Sequence, residues 1–465
     1  MMKQYNIRYH LAAIAVCSSL LSGCGALTRS EYQPPALQIP ASWQQAQLAT
    51  EVRLDPWWHS FNNPELNTLI NDVLSHNSDL ALATLTLKRA RLQAGLSRDD
   101  LWPQLSSTLS ASKSKPLDGG DSSTSYSAEL SVSYEVDLWG RVSANIDQAQ
   151  WSAMASLEDR ESTAQSLVAT TASLYWQIGY LKQRIQLSQN SIDYAKQTLA
   201  LTQQQYANGA VSQLNVLEAQ RSLAGQEANH SQLVQQLVEA QNAMAILFDR
   251  PPAEFPIAID KLPEGQVPNI GAGVPADILV RRPDVKSALY QLRASLAAKD
   301  ATFAQYFPSL SLTGAVGDSS EELKELLRNP IGSIGARLTL PFLQWRQMNI
   351  NNDIADLTYQ SAIISYRQTL YKAFEDVDNA ISARQQYAYQ GEKLQQQYDA
   401  AAAAEKIYAS QYRNGAVSIQ DWLTAQETLR NAEASLLQNR YNQLTAQSTL
   451  YLALGGSDIA PELTQ

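Results

Sequence analysis

Catalysis and metal binding need nucleophiles, acid–base pairs or ligands at fixed spacing, and this chain offers few. Its 465 residues include four histidines and two cysteines. His59, His76 and His230 stand far apart, and none has a cysteine or an acid at ligand spacing, so surface or interface positions are expected rather than a metal centre. No Gly-x-Ser-x-Gly, phosphate loop or dinucleotide fingerprint occurs in its required context, and the Gly-Ala-Gly at 271–273 sits in a proline-rich stretch. The expectation is therefore no catalytic residue, no cofactor and no enzymatic activity. Five methionines are too few for a thioether relay, which disfavours a dedicated copper or silver carrier.

One thiol does stand where covalent chemistry is expected. Lys3 and Arg8 precede an apolar stretch from Leu11 to Leu21, and small residues follow, which is the layout of a signal peptide over 1–23. Its end, Leu21-Ser22-Gly23-Cys24, resembles the lipobox of bacterial lipoproteins, in which the cysteine is lipidated and becomes the mature N-terminus. An ordinary export signal with an incidental cysteine is the alternative. Processing would leave 465 − 23 = 442 residues and remove Cys17, so with Cys24 acylated no disulfide framework is available. Residue 25 is Gly rather than the Asp that favours inner-membrane retention in such lipoproteins, which points to the outer membrane.

The formal charge of −10 and pI near 5.0 argue against nucleic acid, whose binding needs a basic face. Simple solvation and an acidic passage explain the acidity equally well. No apolar run is long enough to cross a bilayer as a helix.

The elements that would position any functional residue come in two copies. The stretch from Tyr206 to Leu223 returns as Tyr412 to Leu429 with 10 of 18 positions identical, including Tyr-x-Asn-Gly-Ala-Val-Ser. Leu74 and Asp79 correspond to Leu279 and Asp284, the segment at 102–106 to that at 307–311, and Arg141 to Arg346, all 205 apart; the turn itself is 206 apart. The implied organisation is a signal peptide (1–23), an N-terminal extension (24–62), a first repeat (63–250), a Pro/Gly-rich linker (251–274), a second repeat (275–455) and a tail (456–465).

Within each repeat the apolar period switches from two to about three and a half. Tyr126, Ala128, Leu130, Val132, Tyr134 and Val136 alternate with Ser, Glu and Ser, which predicts a strand, and the stretch from Pro103 to about Ser114 alternates likewise. Leu310, Leu312 and Val316 with Ile334, Ala336 and Leu338 predict a second hairpin. These strands have the length and two-faced character of membrane barrel strands, yet four cannot close a barrel, so such a barrel must be shared between subunits. A soluble sandwich edge is the alternative.

No proline lies between Pro116 and Pro251 or between Pro341 and Pro461. A heptad seam runs from Leu167 through Ile178, Leu181, Ile192 and Thr202 to Tyr206, and Ile363, Leu370, Phe374, Val377 and Ile381 continue it in the second copy. Taken as helix, 142–207 would reach roughly 100 Å at about 1.5 Å per residue. Asn208-Gly209 and Asn414-Gly415 end these helices, and a new apolar period starts at once, so each marks the tip of a helical hairpin.

With "EYQPP" at 31–35, "DPWWHSFNNPELNTLI" at 55–70, "PADILVRRPDV" at 275–285, "FPSLSLTG" at 307–314, the "RNGAVS" tip and "LALGG" at 452–456, the chain resembles the outer membrane factors of Gram-negative bacteria. These are the TolC-like exit ducts, and the likeness is to their lipoprotein branch. The resemblance implies a mainly α fold with membrane β: a homotrimer whose 12-stranded β-barrel, four strands per subunit, continues into a periplasmic α-helical barrel with an equatorial belt. It implies an outer membrane channel, the exit duct of a tripartite efflux system for small toxic compounds or drugs. Its partners would be an inner-membrane transporter, a periplasmic adaptor and outer membrane lipid.

By the same likeness the tips, Asn208, Gly209, Ala210 and Val211 with Asn414, Gly415, Ala416 and Val417, would meet the adaptor. Asp421, Trp422, Thr424 and Glu427 would lie where the pore narrows, as would Glu218 in the first copy. In the lipoprotein branch an acid occupies the place held here by Thr424, whereas Glu218 fills the equivalent place in the first copy. Asp421 reads equally well as an acid favoured at a helix start. A lipid-anchored periplasmic coiled coil and a protein-secretion duct remain the alternatives.

Overall fold

The computed structural model describes residues 28–43, 56–252, 258–268, 275–277 and 281–456; the leader, with Cys17 and Cys24, lies outside them. In chain order the elements are α1 (Pro64–His76), α2 (Ser78–Asp99), β1 (Gln104–Ser114), β2 (Ser123–Val136), α3 (Arg141–Ala207), α4 (Gln213–Leu247), α5 (Pro283–Ala304), β3 (Ser309–Ser320), β4 (Ile331–Thr339), α6 (Trp345–Arg413) and α7 (Ile419–Ala453). Helix, hairpin, long helix and shorter helix thus occur twice. Two compact units cut across this order. The first comprises 85–158 and 286–369 with the N-terminal segment to Leu37, and the second comprises 38–84, 159–285 and 370–465.

The first unit is built on one antiparallel sheet in the order β1-β2-β3-β4, so β1 and β4 are its two free edges. Register places the apolar set on one face: Leu109 faces Ala128, Leu130 faces Val316, Tyr134 faces Leu312, and Ile334 faces Gly314. That face is uncovered, and Ile334 is 97% exposed. The opposite face carries a ladder of serine pairs, Ser106 with Ser131 and Ser110 with Ser127, each 2.7 Å apart. A sheet with an apolar face bare and hydroxyls on the other suits hydrocarbon on one side and water on the other. Strands of 9 to 14 residues meet the length of about 9–11 residues that a tilted membrane strand needs.

The strand-to-helix junction is fixed by local chemistry. Asp137 accepts the first free N–H groups of α3, those of Val142 and Ser143, at 2.9 Å each. Arg141 meanwhile grips Glu135 at the end of β2 through both carboxylate oxygens, at 2.7 and 2.8 Å. The N-terminal segment is tied to the same unit. Arg29 pairs with Asp147 at 3.0 Å, Ser30 donates its hydroxyl to Asp300 at 2.7 Å, and the Arg293 guanidinium lies between the Tyr32 and Trp151 rings at 4.8 Å from each.

The second unit holds most of the long helical hairpins. The predicted heptad seam is its core: Thr171, Ile178, Leu181, Ile192 and Thr202 are buried on α3, and Leu370, Val377 and Ile381 on α6. Their spacing keeps one face of each helix turned inward. The seam stops one step short of the sequence reading, because its last expected member, Tyr206, is exposed. Aromatics fill the other end of the unit, where Trp57 stacks on Tyr451 at 4.9 Å and Phe61 meets Trp176 at 4.9 Å.

Linker residues 258–268 run over this core as a strap. Ile259 and Leu262 are buried, Arg440 donates to the Pro263 carbonyl at 2.7 Å and Gln447 to that of Pro268 at 2.8 Å. A Cβ at Gly179 on α3 would lie 2.5 Å from the Ile259 side chain, which would have to shift to admit it.

Candidate functional site: the two hairpin tips

Each long helix ends in the same backbone motif. Gly209 has φ +72° and Gly415 φ +73°, the left-handed conformation that glycine adopts without Cβ strain. The Gly209 N–H bonds Tyr206 O at 2.9 Å and Ala210 N–H bonds Gln205 O at 2.8 Å. The Gly415 N–H bonds Tyr412 O at 3.0 Å and Ala416 N–H bonds Gln411 O at 2.9 Å. Both are Schellman closures, in which the last free carbonyls of the helix are satisfied by the turn itself. Asn208, Gly209, Ala210, Asn414, Gly415 and Ala416 are exposed, and Val211 and Val417 are half-buried.

The helices that leave the tips start differently. Ser418 and Asp421 form a full capping box on α7: Asp421 N–H bonds the Ser418 hydroxyl at 3.2 Å, and the Asp421 carboxylate accepts the Ser418 N–H at 3.1 Å and hydroxyl at 2.6 Å. On α4 the equivalent serine makes no cap. Ser212 likewise donates its hydroxyl, to Asn215 Oδ1 at 2.7 Å, but its oxygen accepts no backbone N–H of the helix.

Among the residues singled out for the pore, Asp421, Thr424 and Glu427 are exposed on the first turns of α7, and Glu218 on α4 is half-buried. Trp422 is buried within the protomer. Its ring stacks on Tyr412 at 4.9 Å, meets Tyr194 edge-on at 5.9 Å, and donates its N–H to Glu405 Oε1 at 3.0 Å. The Tyr194 hydroxyl donates to the same oxygen at 2.8 Å. Burial first, and then the Glu405 carboxylate, push the Tyr194 phenol up to about 12.

A buried carboxylate thus ties α3, α6 and α7 together beneath the second tip. Sequence reading did not find Tyr194 or Glu405, and the only signal for either was a polar residue inside an apolar-periodic helix. Among the described residues no group of three or more His, Cys, Asp or Glu is placed to hold a metal ion.

A sheet with a bare apolar face and two open edges, joined to helices of 67 and 69 residues that end in paired tips, defines a membrane channel protomer with a long helical extension. The sequence model of the outer membrane efflux protein family matches residues 69–248 and 274–456, and the chain belongs to that family. It is 29% identical over 452 residues to the toxin and drug export protein A of Aggregatibacter actinomycetemcomitans, covering 96% of this chain and 97% of that one. It is 30% identical to the pyoverdine export outer membrane protein OpmQ of Pseudomonas aeruginosa, with 96% of each chain covered.

Among solved structures, the outer-membrane channel OprN superposes with a TM-score of 0.84 at 25% identity, covering 92% of this chain and 99% of that one. The open state of the Neisseria gonorrhoeae MtrE channel gives 0.81 at 29% identity, covering 92% and 98%. The protein is an outer membrane efflux channel component, mainly α with a membrane β-sheet, seated in the outer membrane and reaching into the periplasm.

Proposed function

We propose that three copies of this chain close one 12-stranded barrel and one helical tunnel, and that the assembly is the exit duct of a tripartite pump for small toxic compounds or drugs. The observation that carries this is the four-stranded sheet, too small to close alone, with its apolar face bare and edges β1 and β4 unpaired. Relatives named for drug export and for pyoverdine export support small organic cargo. In this reading Cys24 is acylated and anchors the N-terminus, and the repeats 63–250 and 275–455 are the duplicated building blocks, joined by linker 251–274.

The tips at Asn208–Val211 and Asn414–Val417 receive a periplasmic adaptor that links the duct to an inner-membrane transporter. Asp421, Thr424, Glu427 and Glu218 line the narrow end, with Trp422 holding α7 in place from behind. The duct performs no reaction and needs no cofactor; specificity resides with the transporter. The test is deletion of the gene followed by growth against a panel of dyes, detergents and antibiotics. Sensitivity should rise at least fourfold for several compounds and return to normal on complementation, and unchanged sensitivity across a panel exported by the matching transporter would sink the reading.

A further inference from the structure

The apolar face of the sheet changes character at the end away from the helices. β1 starts just after α2 and β2 stops just before α3, so the β1–β2 and β3–β4 turns lie at the opposite end of the sheet. The helices reach into the periplasm, and the turns therefore face the exterior. Tyr126 and Tyr134 stand on the same apolar face of β2 as Leu130, eight residues apart. At about 3.3 Å per residue and a strand tilt of about 40°, they are separated by roughly 20 Å of membrane thickness. Tyrosines at that separation mark the two rims of an apolar band.

Lys113 lies beyond the outer tyrosine. Ala111 is the partner of Tyr126 and Lys113 that of Thr124, which puts Lys113 about 7 Å further out along the strand. The next residue, Ser114, meets Ser123 hydroxyl to hydroxyl at 2.8 Å on the serine-lined face, so Lys113 shares the other face with Leu109, and the same alternation carries Lys115 to that side. Both lysines are exposed, and among the described residues neither has an ion-pair partner. The other cations at this end are engaged: Lys324 holds Glu322 at 2.6 Å and Arg328 holds Glu325. Asp318, the acid on the apolar face here, accepts the Asn329 N–H at 3.1 Å, and Asp118, Asp121 and Glu321 belong to the turns. At the periplasmic rim the apolar face ends instead in Leu105, Val136, Leu310 and Leu338, and Arg337 stands opposite Ser311 on the serine-lined face.

We propose that Lys113 and Lys115 form a site for the phosphates of a phosphorylated glycolipid in the outer leaflet of the membrane. An ammonium on a four-carbon stem suits this level of the bilayer, because the methylenes lie along the apolar face while the charge stays among the headgroups. Unpaired positive charge on the lipid side, at the outer rim and not at the periplasmic one, fits the leaflet whose lipids carry phosphate on sugar, and a phosphate needs such a charge close by to be held. The site rests on the membrane barrel proposed above and is independent of what the duct carries.

The test uses full-length protein extracted in detergent, incubated with diphosphoryl lipid A and read by native mass spectrometry. Wild-type protein should retain the lipid, and K113Q/K115Q should retain it at least tenfold less. K324Q, which removes the paired lysine of the other turn, should behave as wild type, and monophosphoryl lipid A should be held more weakly than the diphosphoryl form. Equal retention by K113Q/K115Q in material that stays trimeric overturns the site and leaves the barrel standing. An equal loss in K324Q also overturns it, because any cation at this rim would then serve. Phosphatidylglycerol held as tightly as lipid A overturns the assignment to a glycolipid, since a bare anionic headgroup would suffice. A wild-type spectrum of monomers alone overturns the barrel and the site with it.

Discussion

At the α3–α4 tip Tyr206 is 48% exposed, while at the α6–α7 tip its counterpart Tyr412 is 5% exposed beneath the Trp422 ring. The turns above them share the same glycine dihedral to within a degree and the same pair of closing hydrogen bonds. What differs lies one or two helical turns away. Val216 stands opposite Trp422, Leu199 opposite Glu405 and Asn215 opposite Asp421. Duplication has therefore kept what the backbone needs and varied what holds it in place. The second tip is braced by a stack, a buried carboxylate and a capping box, and the first has none of the three. Local opening should therefore concentrate in the first, less supported hairpin.

The largest break in this comparison comes from Trp422→Ala. Removing a buried ring that packs on Tyr412 and Tyr194 should cost the start of α7 about 3–5 kcal/mol of local stability, read as faster amide exchange over its first turns. The counterpart Val216→Ala should cost α4 about 1 kcal/mol or less, since only two half-buried methyl groups go, at about 0.8 kcal/mol per buried carbon. Equal losses at the two tips would mean that the brace beneath the second contributes nothing. The glycines test the other half of the comparison. Gly209→Ala and Gly415→Ala each place a Cβ on a residue with φ above +70°, at a cost of roughly 1–2 kcal/mol. Neither added Cβ has a neighbour within 4 Å, so the cost is pure backbone strain and should be the same at both tips. A twofold difference between them would show that the turns are not equivalent after all.

The backbone half of this comparison was legible in the sequence, and the side-chain half was not. Asn-Gly closing an unbroken apolar period identifies a helical hairpin because few residues other than glycine adopt the left-handed turn. The strands were equally plain, since period two with serine on the other face leaves one choice of which side is apolar. Glu405 and Tyr194 were hidden because a lone acid or phenol on a long helix reads as a solvated face until a second helix is brought against it. The exposed Leu85, Leu92 and Leu96 were hidden for the opposite reason: their period is that of a core, and only the structure shows them exposed among the described residues.

Asp421 is where the two readings of one residue meet, and its test has the smallest expected effect. The capping box satisfies the Asp421 N–H through Ser418 and the Ser418 N–H through the Asp421 carboxylate. Asp421→Ala should therefore cost about 1 kcal/mol at the start of α7. The reciprocal change Asn215→Asp supplies the missing acid beside Ser212 and should slow exchange at the start of α4 by a few tenths of a kcal/mol. Together the two variants would bring the tips toward each other in stability.

A pore role for Asp421 predicts something that capping does not. With the protein in a planar bilayer, Asp421→Ala should change single-channel conductance or cation preference, whereas a loss of the same stability introduced at a buried neighbour such as Tyr412→Leu should not. If conductance follows stability alone in both variants, Asp421 is a cap, and Glu427 and Glu218 are left as the proposed pore acids. If only Asp421→Ala changes the current, one carboxylate both starts the helix and faces the passage, and the braced tip is braced in order to hold that charge still.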